Sequence, residues 1–418
     1  MRKICSIISV FIVLALFFSC NTMKKPYHTK VFEPVYMSLS DIRNGINNEP
    51  TKPLKNTGKI YFYNNYILIN EINEGIHIID NINPSNPQNI SFISIPGNSD
   101  MAVRNNVLYA NSYIDLVAFD ISNITNPTVL KRIENIFPNL LEINNYSYVD
   151  KEKGLLVDFI EKDTVIYIDE YGDGGISVPI RGDIAFDKSN GAAESSNGSM
   201  TGKGGSMARF TIYDKYLYSV DRQSLQLFDI QNPRDPKVWS KVNIGWDIET
   251  IYPFKNKLFI GSMMGMYIYD VSNSSQPVLL SQFSHTTACD PIVADDNFAY
   301  VTLRTGTRCL GNLNQLEVFD IKNITNPILL KTYPMQEPAG LGLDNNILFI
   351  CDGPAGLKVY DVKDPLNIEL IDWKSDIHTF DVIPLGKSLL MIGNDGFYQY
   401  DYTNPKDLKL LSKIPIVK

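Results

Sequence analysis

Short apolar runs closed by an aspartate recur eight times along this chain. They read Ile76-His77-Ile78-Ile79-Asp80, Leu116-Val117-Ala118-Phe119-Asp120 and Leu225-Gln226-Leu227-Phe228-Asp229. Met266-Tyr267-Ile268-Tyr269-Asp270, Leu316-Glu317-Val318-Phe319-Asp320, Leu357-Lys358-Val359-Tyr360-Asp361 and Phe397-Tyr398-Gln399-Tyr400-Asp401 continue the series. A degenerate copy, Val165-Ile166-Tyr167-Ile168-Asp169, fills the gap in the middle. A period of roughly 40–45 residues holding four strands marks a β-propeller blade.

The stretch from Pro327 to Asp361 shows how one period is built. Strands are predicted over 328–333, 341–344, 347–350 and 357–360. Asn345-Asn346 and the Gly-rich Asp352–Gly356 supply the turns between them, where positive φ is needed. The strands are apolar on both faces, as expected of sheets buried between neighbouring sheets. After the aspartate, Asn-Pro pairs such as Asn126-Pro127, Asn232-Pro233, Asn326-Pro327 and Asn404-Pro405 stop the strand and start a turn. Each aspartate is therefore read as an acceptor of backbone N–H groups in that turn, not as a metal ligand.

The spacings between successive aspartates are 40, 49, 60, 41, 50, 41 and 40 residues, so three periods carry insertions. Eight anchors predict an all-β protein, a β-propeller of eight blades with four antiparallel strands each. The weak copy at Asp169, where Glu170-Tyr171-Gly172 replaces the Asn-Pro turn, leaves seven blades as the alternative. The propeller is expected over 58–418, with residues 37–57 as a loop or short helix packed on it. Closure by strands from the two chain ends would use Val31–Tyr36, although Pro34 makes that a poor central strand.

Composition agrees with a globular β protein: 44% hydrophobic and 20% charged, with 23 Tyr and 20 Phe among 418 residues. The formal net charge of −8 offers no basic footprint for nucleic acid. At the N-terminus, Arg2 and Lys3 precede an apolar run from Ile4 to Phe18, too short to span a membrane comfortably. Leu16-Phe17-Phe18-Ser19-Cys20 resembles a bacterial lipoprotein signal with a relaxed lipobox. That resemblance implies cleavage after residue 19 and lipidation of Cys20, which takes the net charge to −10. Residues 20–57 then comprise the lipidated cysteine, a tether and the packing segment. A multi-chain anchor would hold firmly, at about 0.8 kcal/mol per buried CH₂. Asn21, rather than Asp, after the cysteine favours the outer over the inner membrane; surface or periplasmic display stays open.

The repeats resemble the LVIVD repeat family of extracytoplasmic bacterial β-propellers, over roughly residues 58–418. Aromatic residues before the aspartate (Phe119, Phe228, Tyr269, Phe319, Tyr360, Tyr400) depart from the name-giving pentapeptide without threatening the fold. The resemblance implies a lipoprotein or surface propeller and no established activity.

Candidate chemistry gathers on one end of the disc, the loop face formed by blade-to-blade connections and second-to-third-strand loops. The insertion 181–206, rich in Gly, Ser and Ala, is expected to be a flexible segment there, disordered in the free protein or a lid over the channel mouth. Its Gly-Lys pair lacks P-loop spacing. Cys289 and Cys309 fall on the same end of one blade and are read as a disulfide, with Cys351 of the next blade as the competing partner. Aligned inner strands bring Asp100, Glu249, Asp290 and Asp381 to equivalent positions at the channel mouth, with His285 and His378 just upstream of two of them. Such a ring is a candidate binding site for a cation or basic partner; the bland reading is that each carboxylate caps its own turn.

Ligand spacings for a metal, nucleophile elbows and dinucleotide fingerprints are missing. No catalytic residue, metal or cofactor is assigned. The expected function is non-enzymatic binding or scaffolding of a protein or glycan through the loop face, by a monomer anchored to the envelope membrane. The alternative is an envelope hydrolase or lyase using the channel-mouth carboxylates.

Overall fold

The computed structural model describes residues 24–137, 149–150, 152–169, 201–246, 248–263, 265–284, 291–304 and 313–417. Two units divide the chain: one takes residues 1–37 and 143–182, the other 38–142 and 183–418.

Among the described residues, the larger unit holds seven antiparallel sheets, each built on four consecutive strands. Their inner strands, which number the blades 1 to 7, are Thr57–Tyr63, Met101–Arg104, Phe210–Tyr213, Ile248–Phe254, Ile292–Ala294, Leu341–Asp344 and Thr379–Pro384. Within the repeat 327–361 the strands run Ile328–Pro334, Leu341–Asp344, Ile347–Cys351 and Leu357–Asp361, as the pattern predicts.

Apolar packing carries the ring round. One cluster joins blades 1 to 3, another blades 3 and 4, another blades 4 to 6, and another blades 6 and 7. The circle closes where Ile60, Ile67 and Ile69 of blade 1 meet Ile383, Leu390 and Phe397 of blade 7. The segment that leads into blade 1 meets the one that leaves blade 7 there too: Leu54 bridges Ile416, and the Val417 N–H donates to Leu54 O at 2.8 Å.

Eight repeat anchors correspond to eight sheets, but the eighth differs in kind. The copy ending at Asp169 is a strand, part of Gly154–Asp169, and its partner is Lys24–Met37 rather than a blade. With Val149–Asp150 these make the three-stranded sheet of the smaller unit. The propeller ring is therefore the seven-bladed alternative. Of the residues 21–30 read as a tether, 24–30 belong to this long strand and 21–23 lie outside the described residues; Val31–Tyr36 pairs at 156–162 instead of closing the ring. Exposed ion pairs, Lys162–Glu33 at 2.9 Å and Lys30–Glu161, cross-link the ribbon. Of the segment 37–57, Met37 ends the long strand and Leu39–Asn44 is a short helix capped by Ser38. Asn47–Glu49 adds to the outer strand of blade 1.

Every blade repeats two local devices. Seven aspartates (80, 120, 229, 270, 320, 361 and 401) accept the N–H two residues on, at 2.6–2.9 Å, so the turn reading holds. The second device went unread in the sequence. Each outer strand inserts one unpaired apolar residue: Ile90, Leu130, Trp239, Leu280, Leu330, Ile371 or Leu411. Apart from blade 1, whose outer strand pairs with Asn47–Glu49, the outer strands present an edge without a paired strand among the described residues, and a bulge bends such an edge away from further pairing.

Candidate functional site

The axis of the propeller is occupied by the chain itself. Glycine makes this approach feasible. Gly202 donates its N–H to Val103 O of blade 2 at 3.1 Å. Lys203 and Gly204 pair with Phe62 and Tyr61 of blade 1, and Lys203 Nζ donates to Pro384 O of blade 7 at 3.0 Å. Ser206 Oγ accepts the Leu341 N–H of blade 6 at 2.8 Å, and Ala208 O accepts the Ile251 N–H of blade 4 at 2.7 Å. A single stretch touching five blades has only the centre to run through. The C-terminal part of the insertion 181–206 is thus a plug: Gly204, Gly205 and Ser206 are buried. Flexible composition served close packing here. A Cβ on Gly202 would come within 2.2 Å of the Tyr61 ring.

Charged groups surround the plug. Asp100 is buried, and its Oδ2 accepts Lys59 Nζ of blade 1 at 2.6 Å together with the N–H groups of Arg209 (2.5 Å) and Phe210 (3.1 Å). Its Oδ1 accepts the Met101 N–H at 2.6 Å. Burial pushes the Lys59 ammonium down from its ordinary range, against the pull of Asp100. Arg209 Nε donates to the backbone oxygen of Glu249 at 3.4 Å, and the Glu249 side chain is itself buried.

Asp381 differs from all of these. It is 0% exposed, and neither carboxyl oxygen completes a hydrogen bond. The plug and blade 6 wedge it: a Cβ added to Gly205 would stand 1.8 Å from Oδ2, and one on Gly340 2.2 Å from Oδ1. Burial drives its carboxyl well above the ordinary carboxylate range; the neighbouring Val382 N–H and the Lys59 charge oppose this without cancelling it. Cys351 of blade 6 is a free, fully buried thiol, pushed well up by burial and then by the Asp381 charge.

Of the residues singled out in the sequence, Asp100 lies just before its inner strand, Glu249 and Asp381 lie near the starts of theirs, and all three are buried. His378 is half-buried with its ring 5.0 Å from Phe380. His285, Cys289, Asp290 and Cys309 lie outside the described residues, as does Cys20. Among the described residues, no group of three or more His, Cys, Asp or Glu side chains could hold a metal ion. Sequence reasoning missed Lys59 and Arg209. The available signal was a lone cation within or beside an apolar inner strand, Lys59-Ile60-Tyr61 and Arg209-Phe210.

The LVIVD repeat profile matches residues 256–285. No curated protein matches the chain in sequence. Among solved structures, the computationally designed Ika8 protein is similar at 9% identity and TM-score 0.49, over 86% of this chain and 87% of that one. A Lactobacillus plantarum protein is similar at 12% identity and TM-score 0.49, over 86% and 97%. BamB from Moraxella catarrhalis is similar at 8% identity and TM-score 0.46, over 78% of each chain. The matched residues 256–285 hold the last three strands of blade 4, Lys257–Ser262, Gly265–Asp270 and Val278–Ser284. The chain is a β-propeller that carries an LVIVD repeat.

Proposed function

We propose that the protein is a non-enzymatic binding module, lipid-anchored through Cys20 in the cell envelope, which holds a protein or glycan on its loop face. Trp246 carries this reading. It is 70% exposed on the connection from blade 3 to blade 4. Its loop is pinned, because Ile244 N–H and Gly245 N–H donate to Gln223 O (3.0 and 3.4 Å) and Ile248 N–H to Arg222 O (3.0 Å). A large aromatic ring held in water on a fixed backbone is a preorganised anchor, with little ordering left to pay for on binding. The buried state of Asp100, Glu249 and Asp381 weighs against the hydrolase or lyase alternative, since a substrate must reach a catalytic carboxylate.

Capture from the native envelope tests the proposal with three baits: the anchored protein, Trp246→Ala, and a form lacking residues 183–200 but keeping the plug. A partner held by the first and lost with Trp246→Ala supports the loop-face anchor. Equal capture by all three would remove both Trp246 and the insertion from the binding surface.

A further inference from the structure

We propose that Thr201–Ser206 is a proton-gated plug of the propeller axis, seated while Asp381 is neutral and released when it ionises. The inference stands independently of what the loop face binds. Asp381 is 0% exposed, and neither carboxyl oxygen completes a well-formed hydrogen bond beyond the strained approach of the adjacent Val382 N–H. A neutral carboxyl tolerates contact with the Cα–H groups of Gly205 and Gly340. An ionised one in the same place has only the adjacent Val382 N–H turned to it, fewer donors than an anion needs, and water must be admitted.

Two walls close the carboxyl in, and they are unequal. Gly340 belongs to blade 6, where its N–H donates to Phe380 O at 2.9 Å and its oxygen accepts the Cys351 N–H at 2.9 Å. Gly205 belongs to a short segment held by a two-residue ladder on blade 1, a bridge from Thr201 to Arg104 and single hydrogen bonds at Gly202 and Ser206, rich in glycine and so entropically costly to hold. The plug is the wall that yields. Around Asp381, blade 1 presents Lys59, with Asp100 and Arg209 beyond it, and blade 6 presents the Cys351 thiol. The plug's one charged side chain, Lys203, is turned onto Pro384 O. Lys59 is therefore the cation that favours ionisation, and it is already engaged by Asp100 at 2.6 Å.

Trypsin reads the gate, since Lys203 is cleavable only when the plug leaves the axis. The full chain is digested between pH 6 and 9, and the cut after Lys203 is followed by mass and normalised to a small trypsin substrate. If opening releases one proton, cleavage climbs by up to about tenfold per pH unit and then levels off. Asp381→Asn, which imitates the neutral form, gives a slow and flat profile. Gly205→Ala cannot seat against Asp381 and is cut fast at every pH. A flat wild-type profile overturns the proposal, as does an equal climb in Asp381→Asn. Should Asp381→Asn not fold, the wild-type infrared band of a buried protonated carboxyl takes its place. Loss of that band over the same pH range supports the gate, and its absence at pH 6 refutes it.

Discussion

Replacing Asp381 by Asn should leave stability unchanged in acid and raise it progressively as the pH increases. The side chain keeps its shape between Gly205 and Gly340 and loses only its ability to ionise. In the unfolded chain this aspartate titrates near its ordinary value of about 3.9; in the folded chain its pKa is raised well above that. Between the two values the folded state holds one proton more than the unfolded state. Stability from this site is therefore complete below the unfolded pKa and is lost as pH rises through the folded one. The slope is about 1.4 kcal/mol per pH unit. Within that window the wild type should fall further behind Asp381→Asn with each step up in pH. The loss stops growing once opening the plug costs less than keeping the proton. Urea unfolding from pH 4.5 to 8.5 measures this, followed by tryptophan fluorescence and circular dichroism together so that a single transition is verified. Parallel stability curves for the two proteins across that range would refute a neutral Asp381.

Three further outcomes follow from the same geometry. Lys59→Met strips a buried charge from Asp100, leaving it with the backbone donors of Met101, Arg209 and Phe210; unfolding midpoints should show a loss of about 3 kcal/mol, partly recovered when Asp100→Asn is added. Gly265 opens the third strand of blade 4 at φ +146°, and a Cβ there would stand 2.0 Å from Phe283 O, so Gly265→Ala should cost at least about 1 kcal/mol in the same assay, whereas Gly386→Ala, with open space at its Cβ, should show no steric loss beyond its backbone strain. Cys351, buried and held as the thiol, should resist iodoacetamide in the native chain and react fully in urea, and mass-resolved labelling of its peptide in native buffer would contradict this.

The legible part of this protein was local. Strand positions in 327–361 came out within a residue or so because alternating turn residues and apolar runs act over four to six positions. The Asp turns were equally readable, since the acceptor and its N–H lie two residues apart. The copy at Asp169 misled for the same reason. Val165–Asp169 has the composition of a strand whichever partner it takes, and nothing local says that this partner is 24–28 instead of a neighbouring blade strand. The plug misled in the opposite direction. Glycine-rich composition signals a flexible chain, and the same absence of Cβ atoms lets 201–206 run against Tyr61 and Asp381 where a bulkier residue would collide.

By itself, then, the sequence determined the repeat, the strand order within each blade and the capped turns, because these depend on neighbours along the chain. Which copies join the ring, what fills its axis and which carboxylates are paired were decided by the tertiary structure. Lys59 reaches Asp100 across 41 positions, and Asp381 meets Gly205 across 176. Seven blades close the circle before the eighth copy is needed, and closure brings the inner strands near enough for one short glycine-rich segment to touch five of them. Burial on that axis raises the pKa of an ordinary aspartate well above its usual range.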